Sequence, residues 1–328
     1  MKKTIWTRVT AAACAAACAV GLSACGSSTT ATTAAATTAA ATEAETAAAT
    51  EAAEETTAAA EETSSDAVYT SDSGYNDEET EIQVFIAASL NTVMTDLAAR
   101  YNEIHPNVKI TFNADSSGKL LTQIEEGYAC DVFFSAAQKQ MNTLENDDKL
   151  VVEGTRKDVL NNQVVVITLK DSGTAVTGLE TLKDAKSIAL ADGSVPVGKY
   201  TRQALVKAGI LPEAEDVSKI TTQEVSEALG GVEISEQSNV SKVLAAVVEG
   251  SCEVGTTYYS DTYGYEDQLD ILEKVSYDLT GNVIYPIAQV QNDEADDVEK
   301  AAAKDFIDYV TSDSVKEVLE SYYFDTNV

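Results

Sequence analysis

FIAASLNTVMTDLAARYNEIHP, residues 85–106, opens as a short apolar run, breaks at Ala88-Ser89 and resumes with helical spacing. Val93, Leu97 and Tyr101 recur every four residues, with Met94 and Ala98 beside them. That pattern is a buried strand feeding straight into an amphipathic helix, with no ordinary loop between. A serine, Ser89, stands at the junction. It either caps the helix or touches something beyond the strand end.

Outward from this unit, strands and helices alternate. Strands are expected over 82–87, 108–112, 131–135, 163–169, 187–191, 253–258 and 284–291, from their short β-branched or aromatic runs. Helices are expected over 90–104, 118–126, 138–146, 198–208, 238–249, 298–310 and 314–321. The alternation implies an α/β fold with mostly parallel sheets. No internal repeat of fixed period is present.

The first eighty residues read differently. Lys2, Lys3 and Arg8 precede an Ala-rich apolar run over 9–22, the layout of a secretory leader, too short for a membrane span. It ends in Leu22-Ser23-Ala24-Cys25-Gly26, which resembles a bacterial lipobox and makes Cys25 the expected lipidation site. Residues 26–80 are Thr, Ala, Ser and Glu, with twelve acidic residues and no Lys or Arg. Such a segment buries too little apolar surface to offset its ordering entropy. It is expected to be a disordered tether spanning about 40 Å as a flexible coil.

The whole chain of 328 residues carries a formal charge of −32, and residues 81–328 carry 19 basic and 42 acidic side chains, a net of −23. There is no basic footprint for nucleic acid. His105, the only histidine, precedes Pro106 at a helix end and reads as a surface residue. No Walker loop, GxSxG, HExxH or EF-hand spacing occurs, so nothing points to an enzyme. Cys130 and Cys252 are the cysteines outside the leader and lipobox.

Four expected helix starts share one character. Ala88-Ser89, Ser116-Ser117-Gly118, Val195-Pro196-Val197-Gly198 and Ser238-Asn239-Val240 each place small or neutral residues where backbone N–H groups point outward. Helix N-termini bind anions without a cationic side chain. Each could also be an ordinary cap.

At these positions the chain, from about residue 82 to 324, resembles the periplasmic or lipoprotein molybdate-binding proteins of ABC importers. The segments that carry the resemblance are VFIAASL, SSGKLLTQIEEG, CDVFFSAAQKQMNTL, NNQVVVI, IALADGSVPVGKYTRQAL, SNVSKVLAAVVEG, VGTTYYSD and YPIAQV, in order and without large gaps. The resemblance implies a two-lobed periplasmic-binding-protein fold of type II, each lobe a mostly parallel sheet flanked by helices. Residues 81–161 and 285–328 would form lobe I, and 162–284 lobe II.

It also implies an interlobe cleft that binds molybdate, and tungstate, through Ser89, Ser117, the backbone at Val197 and Val240, and Tyr258. Ala88, Ser116 and Gly198 would shape the backbone contacts. Lys119 and Lys199 depart from the neutral residues expected after the pocket loops, and Tyr259 adjoins Tyr258, so the contacting ring is open. Cys130 and Cys252 would fall in different lobes, which argues against a disulfide. The implied protein is a monomeric binding lipoprotein without cofactor, anchored outside the membrane and serving an ABC permease. Sulfate, phosphate or another small solute is the alternative ligand.

Overall fold

The computed structural model describes residues 69–328. The expected leader, Cys25 and the tether up to residue 68 lie outside the described residues. In chain order the elements are β1 (Thr80–Ala87), α1 (Asn91–Ile104), β2 (Val108–Asp115), α2 (Ser117–Glu125), β3 (Val132–Phe134), α3 (Gln138–Asn142), β4 (Lys157–Asn162) and β5 (Val164–Leu169). There follow β6 (Ser187–Ala191), α4 (Pro196–Lys207), α5 (Thr222–Ala228), β7 (Glu233–Gln237), α6 (Val240–Val248) and β8 (Val254–Tyr258). The chain closes with β9 (Leu269–Lys274), α7 (Tyr277–Thr280), β10 (Val283–Gln289), α8 (Asp297–Val310) and α9 (Lys316–Ser321).

The strands form two five-stranded sheets, ordered β2-β1-β3-β10-β4 and β7-β6-β8-β5-β9. In the first, β1 runs parallel to β2 and β3, while β10 is antiparallel to β3 and β4. In the second, β6 runs parallel to β7 and β8, while β5 is antiparallel to β8 and β9. The sheets are therefore mixed, parallel at one side and antiparallel at the other. The antiparallel side arises because the chain crosses between sheets there. Gln163 alone separates β4 in the first sheet from β5 in the second, and the segment holding α7 carries β9 back to β10.

The helical stripe read from the sequence is the buried one: Val93, Met94, Leu97, Ala98 and Tyr101 face the core from α1. β5, with Val164 to Ile167 fully buried, is covered on both faces, as its continuous apolar run requires. Five elements, β4, β7, β9, α5 and the short α7, are not among those expected. β4, β7 and β9 lie at or beside polar sheet edges, and β7 (EISEQ) holds a single apolar residue. Charged, short edge strands resist pairing with other chains, and the same charge hides them from a search for apolar alternation. α5 is announced only by its capping box: the Thr221 hydroxyl accepts from the Glu224 N–H (3.2 Å), and the Glu224 carboxylate accepts from the Thr221 N–H (2.7 Å).

Residues 69–79, expected to belong to the tether, are instead held against α1 and α8. The Tyr69 hydroxyl donates to the Asp305 carboxylate, Ser73 donates to the same group (2.8 Å), and Ser71 donates to Asp308 (2.9 Å). His105, expected at the surface, is only partly exposed. Its side chain is 15% exposed, with Nδ1 2.6 Å from Asp77 and Nε2 3.3 Å from Asp305. The partners of Tyr69, Ser71 and Ser73 lie more than 200 residues away, which local composition cannot register. Cys130 and Cys252 are both free and buried.

Candidate functional site

The six strand ends that meet between the sheets are the carboxyl ends of the parallel strands. β1 delivers Ala88 and Ser89 in a 3-10 turn (Ala88–Leu90), β2 delivers Ser116 and Ser117, and β3 delivers Ala136. From the second sheet, β6 delivers Val195, Pro196 and Val197, β7 delivers Val240, and β8 ends in Tyr258. With Ala87 these residues line one cavity of about 200 Å³ of space between atoms, its mouth included. Ser89, Ser117, Val197, Val240 and Tyr258, scattered over 170 residues of sequence, thus come together. Ligands of open α/β sheets collect at such strand ends.

The donors of the cavity are defined by what each group already holds. Ser117 is fully buried at the start of α2, and its Oγ accepts a hydrogen bond from the Ala136 N–H (2.9 Å). Its own hydrogen therefore remains to be donated. Ser89 Oγ lies 2.9 Å from the Tyr285 hydroxyl. Either hydroxyl can donate in that bond, and Tyr285 has a second partner in Asn162. Its Oδ1 accepts the Gln163 N–H (2.8 Å), which leaves Nδ2 to donate to the Tyr285 oxygen (3.1 Å) and to Ser260 (2.8 Å). The Tyr285 hydrogen can then go to Ser89, and in that arrangement Ser89 keeps its own for the cavity. Asn162 and Tyr285 are thus positioning residues that sequence reading missed, because the bonds joining them to Ser89 span 123 and 196 residues.

Tyr258 completes the set. Its hydroxyl is buried and has no hydrogen-bond partner among the described residues. Burial pushes both Tyr258 and Tyr285 well above the usual phenol range, so both stay neutral donors. Their rings meet edge-on at 5.9 Å. Tyr259 points elsewhere and stacks on Tyr323 at 4.7 Å, which resolves which of the adjacent tyrosines lines the cavity. Below the cavity Asp261 accepts from the Tyr258 N–H (2.9 Å) and the Thr257 hydroxyl (2.8 Å), and burial raises it to about 6.

The helix starts add backbone donors. α2 and α4 have no side-chain cap, and Pro196 at the first position of α4 has no N–H, so Val197 carries the first N–H of that helix. On α6 the Asn239 side chain caps Lys242 (3.0 Å) and leaves Val240 uncapped. Within a helix these first N–H groups have no acceptor. No carboxylate lines the cavity.

The two lysines flagged by sequence stay outside the lining. Lys119 pairs with Asp115 at 3.3 Å, and Lys199 faces a separate, open cavity beside Lys139. Asp115 also accepts from Asn239 (3.1 Å) across the rim between the sheets. Burial pushes the Asp115 carboxyl up, but the bonds from Asn239, the Ser116 N–H and Lys119 outweigh it and hold it below the usual carboxylate range.

A family model described as bacterial extracellular solute-binding protein matches residues 82–325. The chain belongs to this family. Among the relatives of this solute-binding protein is the molybdate-binding protein ModA of Escherichia coli, 30% identical over 254 residues, 75% of this chain and 90% of ModA. YvgL of Bacillus subtilis, which carries the name of an ABC transporter substrate-binding lipoprotein, is 26% identical over 244 residues, 74% of this chain and 85% of YvgL. The periplasmic molybdate-binding protein of Azotobacter vinelandii has the same fold, with a TM-score of 0.60 at 17% identity, covering 74% of this chain and 98% of that one. The chain is therefore a bacterial extracellular solute-binding protein with the type II binding-protein fold that its sequence resemblance implies.

Proposed function

We propose that this chain captures molybdate, and tungstate, in the cavity between its sheets and delivers the oxyanion to an ABC permease, held outside the membrane by lipid on Cys25. The observation that carries this reading is the buried Tyr258 hydroxyl, without a hydrogen-bond partner among the described residues, on a residue that lines one cavity with Ser89, Ser117 and the starts of α4 and α6. A buried polar group without a partner costs roughly 1–3 kcal/mol, and a tetrahedral oxyanion, whose oxygens all accept, supplies the missing acceptor. A dianion leaving water needs a full shell of donors. Ser89, Ser117, Tyr258 and the first N–H groups of α4 and α6 are such a shell, and it adds no charge of its own.

The lining also supports a choice among ligands. A protonated phosphate brings an O–H that needs an acceptor, and no carboxylate stands in the lining to take it. Cations are opposed by the same donor set. Sulfate, smaller and equally unprotonated, is separated from molybdate by fit alone, through the size of the closed cavity.

We further infer that the two sheets belong to two lobes, hinged at Gln163 and at the segment between β9 and β10. Asn239 to Asp115 and Lys139 to Asp216 (3.5 Å) are then contacts of the closed state, bridging the rims. Ligand held by both lobes favours closure.

Titration calorimetry of the purified protein with molybdate, tungstate, sulfate and phosphate tests the reading. Molybdate and tungstate are expected to bind at micromolar concentration or below, with sulfate and phosphate far weaker. The absence of heat with both metal oxyanions defeats it. Tyr258→Phe gives a sharper test, because its two effects have opposite signs. Removing an unpaired buried hydroxyl leaves the ligand-free protein as stable as before or about 1 kcal/mol more so. The same change removes a donor to the dianion and weakens binding by roughly 1.5–3 kcal/mol. Thermal unfolding and calorimetry on one preparation read both. A variant that loses stability and keeps its affinity assigns Tyr258 to the core alone.

A further inference from the structure

A second feature stands at the outer edge of the cleft. Lys139, Lys199, Lys207 and Lys219 converge on one solvent-open cavity of about 790 Å³, together with Glu215 and Asp216. In a folded region of net charge −23 this concentration of cations is out of character with the rest of the surface. Its position ties it to the buried cavity. Lys139 lies three residues beyond Ala136, on the first-sheet wall, and Lys199 lies two residues beyond Val197, on the second-sheet wall. Lys139 is the only one of the four with a carboxylate within salt-bridge range among the described residues, at 3.5 Å from Asp216.

The other three make no ion pair among the described residues. Lys207 donates to the backbone oxygen of Asp278 (3.0 Å), and Lys199 lies over the edge of the Tyr200 ring, 5.7 Å from its centroid. Burial, with Lys139 alongside, draws Lys199 below the usual lysine range against the opposing pull of Asp216.

We propose that these four lysines form a vestibule, a shallow second site for small inorganic oxyanions that collects the ligand and feeds it to the buried cavity. The proposal rests on the oxyanion reading above and adds a kinetic role to it. A dianion approaching an acidic protein meets repulsion within the screening length, about 8 Å at physiological salt and longer at low salt. A local cationic patch reverses that field where it matters, and charged clefts of this kind raise association rates by about 10- to 1,000-fold at low salt. The buried donors are short-ranged and neutral, so they hold the ligand but cannot attract it from solution. Capture and retention therefore fall to different residues. Lys139 joins the two roles. Its links to Asp216 and to Ser218 (3.3 Å) cross the cleft in the closed structure, so opening frees it to face the incoming anion.

Stopped-flow tyrosine fluorescence with molybdate, at a series of salt concentrations, tests the vestibule. The variant Lys199→Gln/Lys207→Gln/Lys219→Gln is expected to associate about tenfold more slowly at low salt. Its association rate should depend less on ionic strength than that of the wild type, and its dissociation rate should stay within about twofold. Removing equal charge from exposed positions elsewhere, at Lys109, Lys183 and Lys316, is expected to leave association nearly unchanged. Equal association rates and equal salt dependence in the first variant and the wild type overturn the proposal. So does an equal loss in both variants, which would make it an effect of net charge alone.

A second readout separates this proposal from the assignment of the buried cavity. In protein with 13C-methylated lysines, millimolar molybdate or sulfate should shift the signals of Lys139, Lys199 and Lys219 ahead of those of Lys109 and Lys316, even in Ser117→Ala. A uniform response of all lysines defeats the vestibule whatever the buried cavity binds. Failure of the wild type to bind molybdate tightly, with the lysine shifts intact, defeats the buried site and leaves the vestibule standing.

Discussion

Ser117→Ala is expected to bind molybdate about 10- to 150-fold more weakly, equivalent to the loss of roughly 1.5–3 kcal/mol from one hydrogen bond to a charged acceptor. The change also reaches the protein without ligand. Ser117 Oγ is the acceptor for the buried Ala136 N–H, and alanine leaves that group unpaired. The variant should therefore lose about 1–3 kcal/mol of stability as well. Both effects run the same way, in contrast to Tyr258→Phe, because Ser117 has a partner before any ligand arrives and Tyr258 has none. Calorimetry and thermal unfolding read the two losses separately. An unchanged affinity would remove Ser117 from the site, whatever happens to the melting temperature.

Gly198→Ala should damage the site through the backbone. A Cβ at this position would lie 2.2 Å from the Asp192 carbonyl oxygen and 2.4 Å from that of Ala191. Neither atom is the free end of a side chain, so the first turn of α4 would have to lift away from the end of β6. The buried Arg202 guanidinium opposes that motion. It donates to the carbonyls of Ala191 (2.7 Å), Gly198 (2.9 Å) and Ile220 (2.7 Å), stapling helix to strand. Overpacking of this kind costs about 1–3 kcal/mol or more. The shift also carries the Val197 N–H away from the cavity, so the affinity for molybdate should fall by about tenfold or more. A variant that melts and binds like the wild type would show that the close packing of α4 on β6 is not what places its N-terminus.

Much of this was legible in advance, for identifiable reasons. Strands such as Ser187–Ala191 and helices such as Asn91–Ile104 bury a regular face, and burial writes a period into the sequence. The positions Ser89, Ser117, Val197, Val240 and Tyr258 follow from a family resemblance, and all five line one cavity. Two of the elements that escaped carry no apolar stripe to advertise them. β7 is a polar edge strand, and residues 69–79 are held by Tyr69 and Ser73 on Asp305 rather than by an apolar stripe of their own.

The sequence by itself determined the alternation of strand and helix, the absence of a basic surface, and the small neutral residues at four helix starts, since each depends on residue type and near neighbours. Only the tertiary structure decided what those residues offer. Whether Ser89 caps a helix or donates to a cavity depends on Tyr285 and Asn162, and whether Ser117 gives or accepts depends on the N–H of Ala136. A hydroxyl can do either, and its direction is set by the partner that reaches it first. In this fold those partners arrive from strands that the chain places side by side only after crossing between its two sheets.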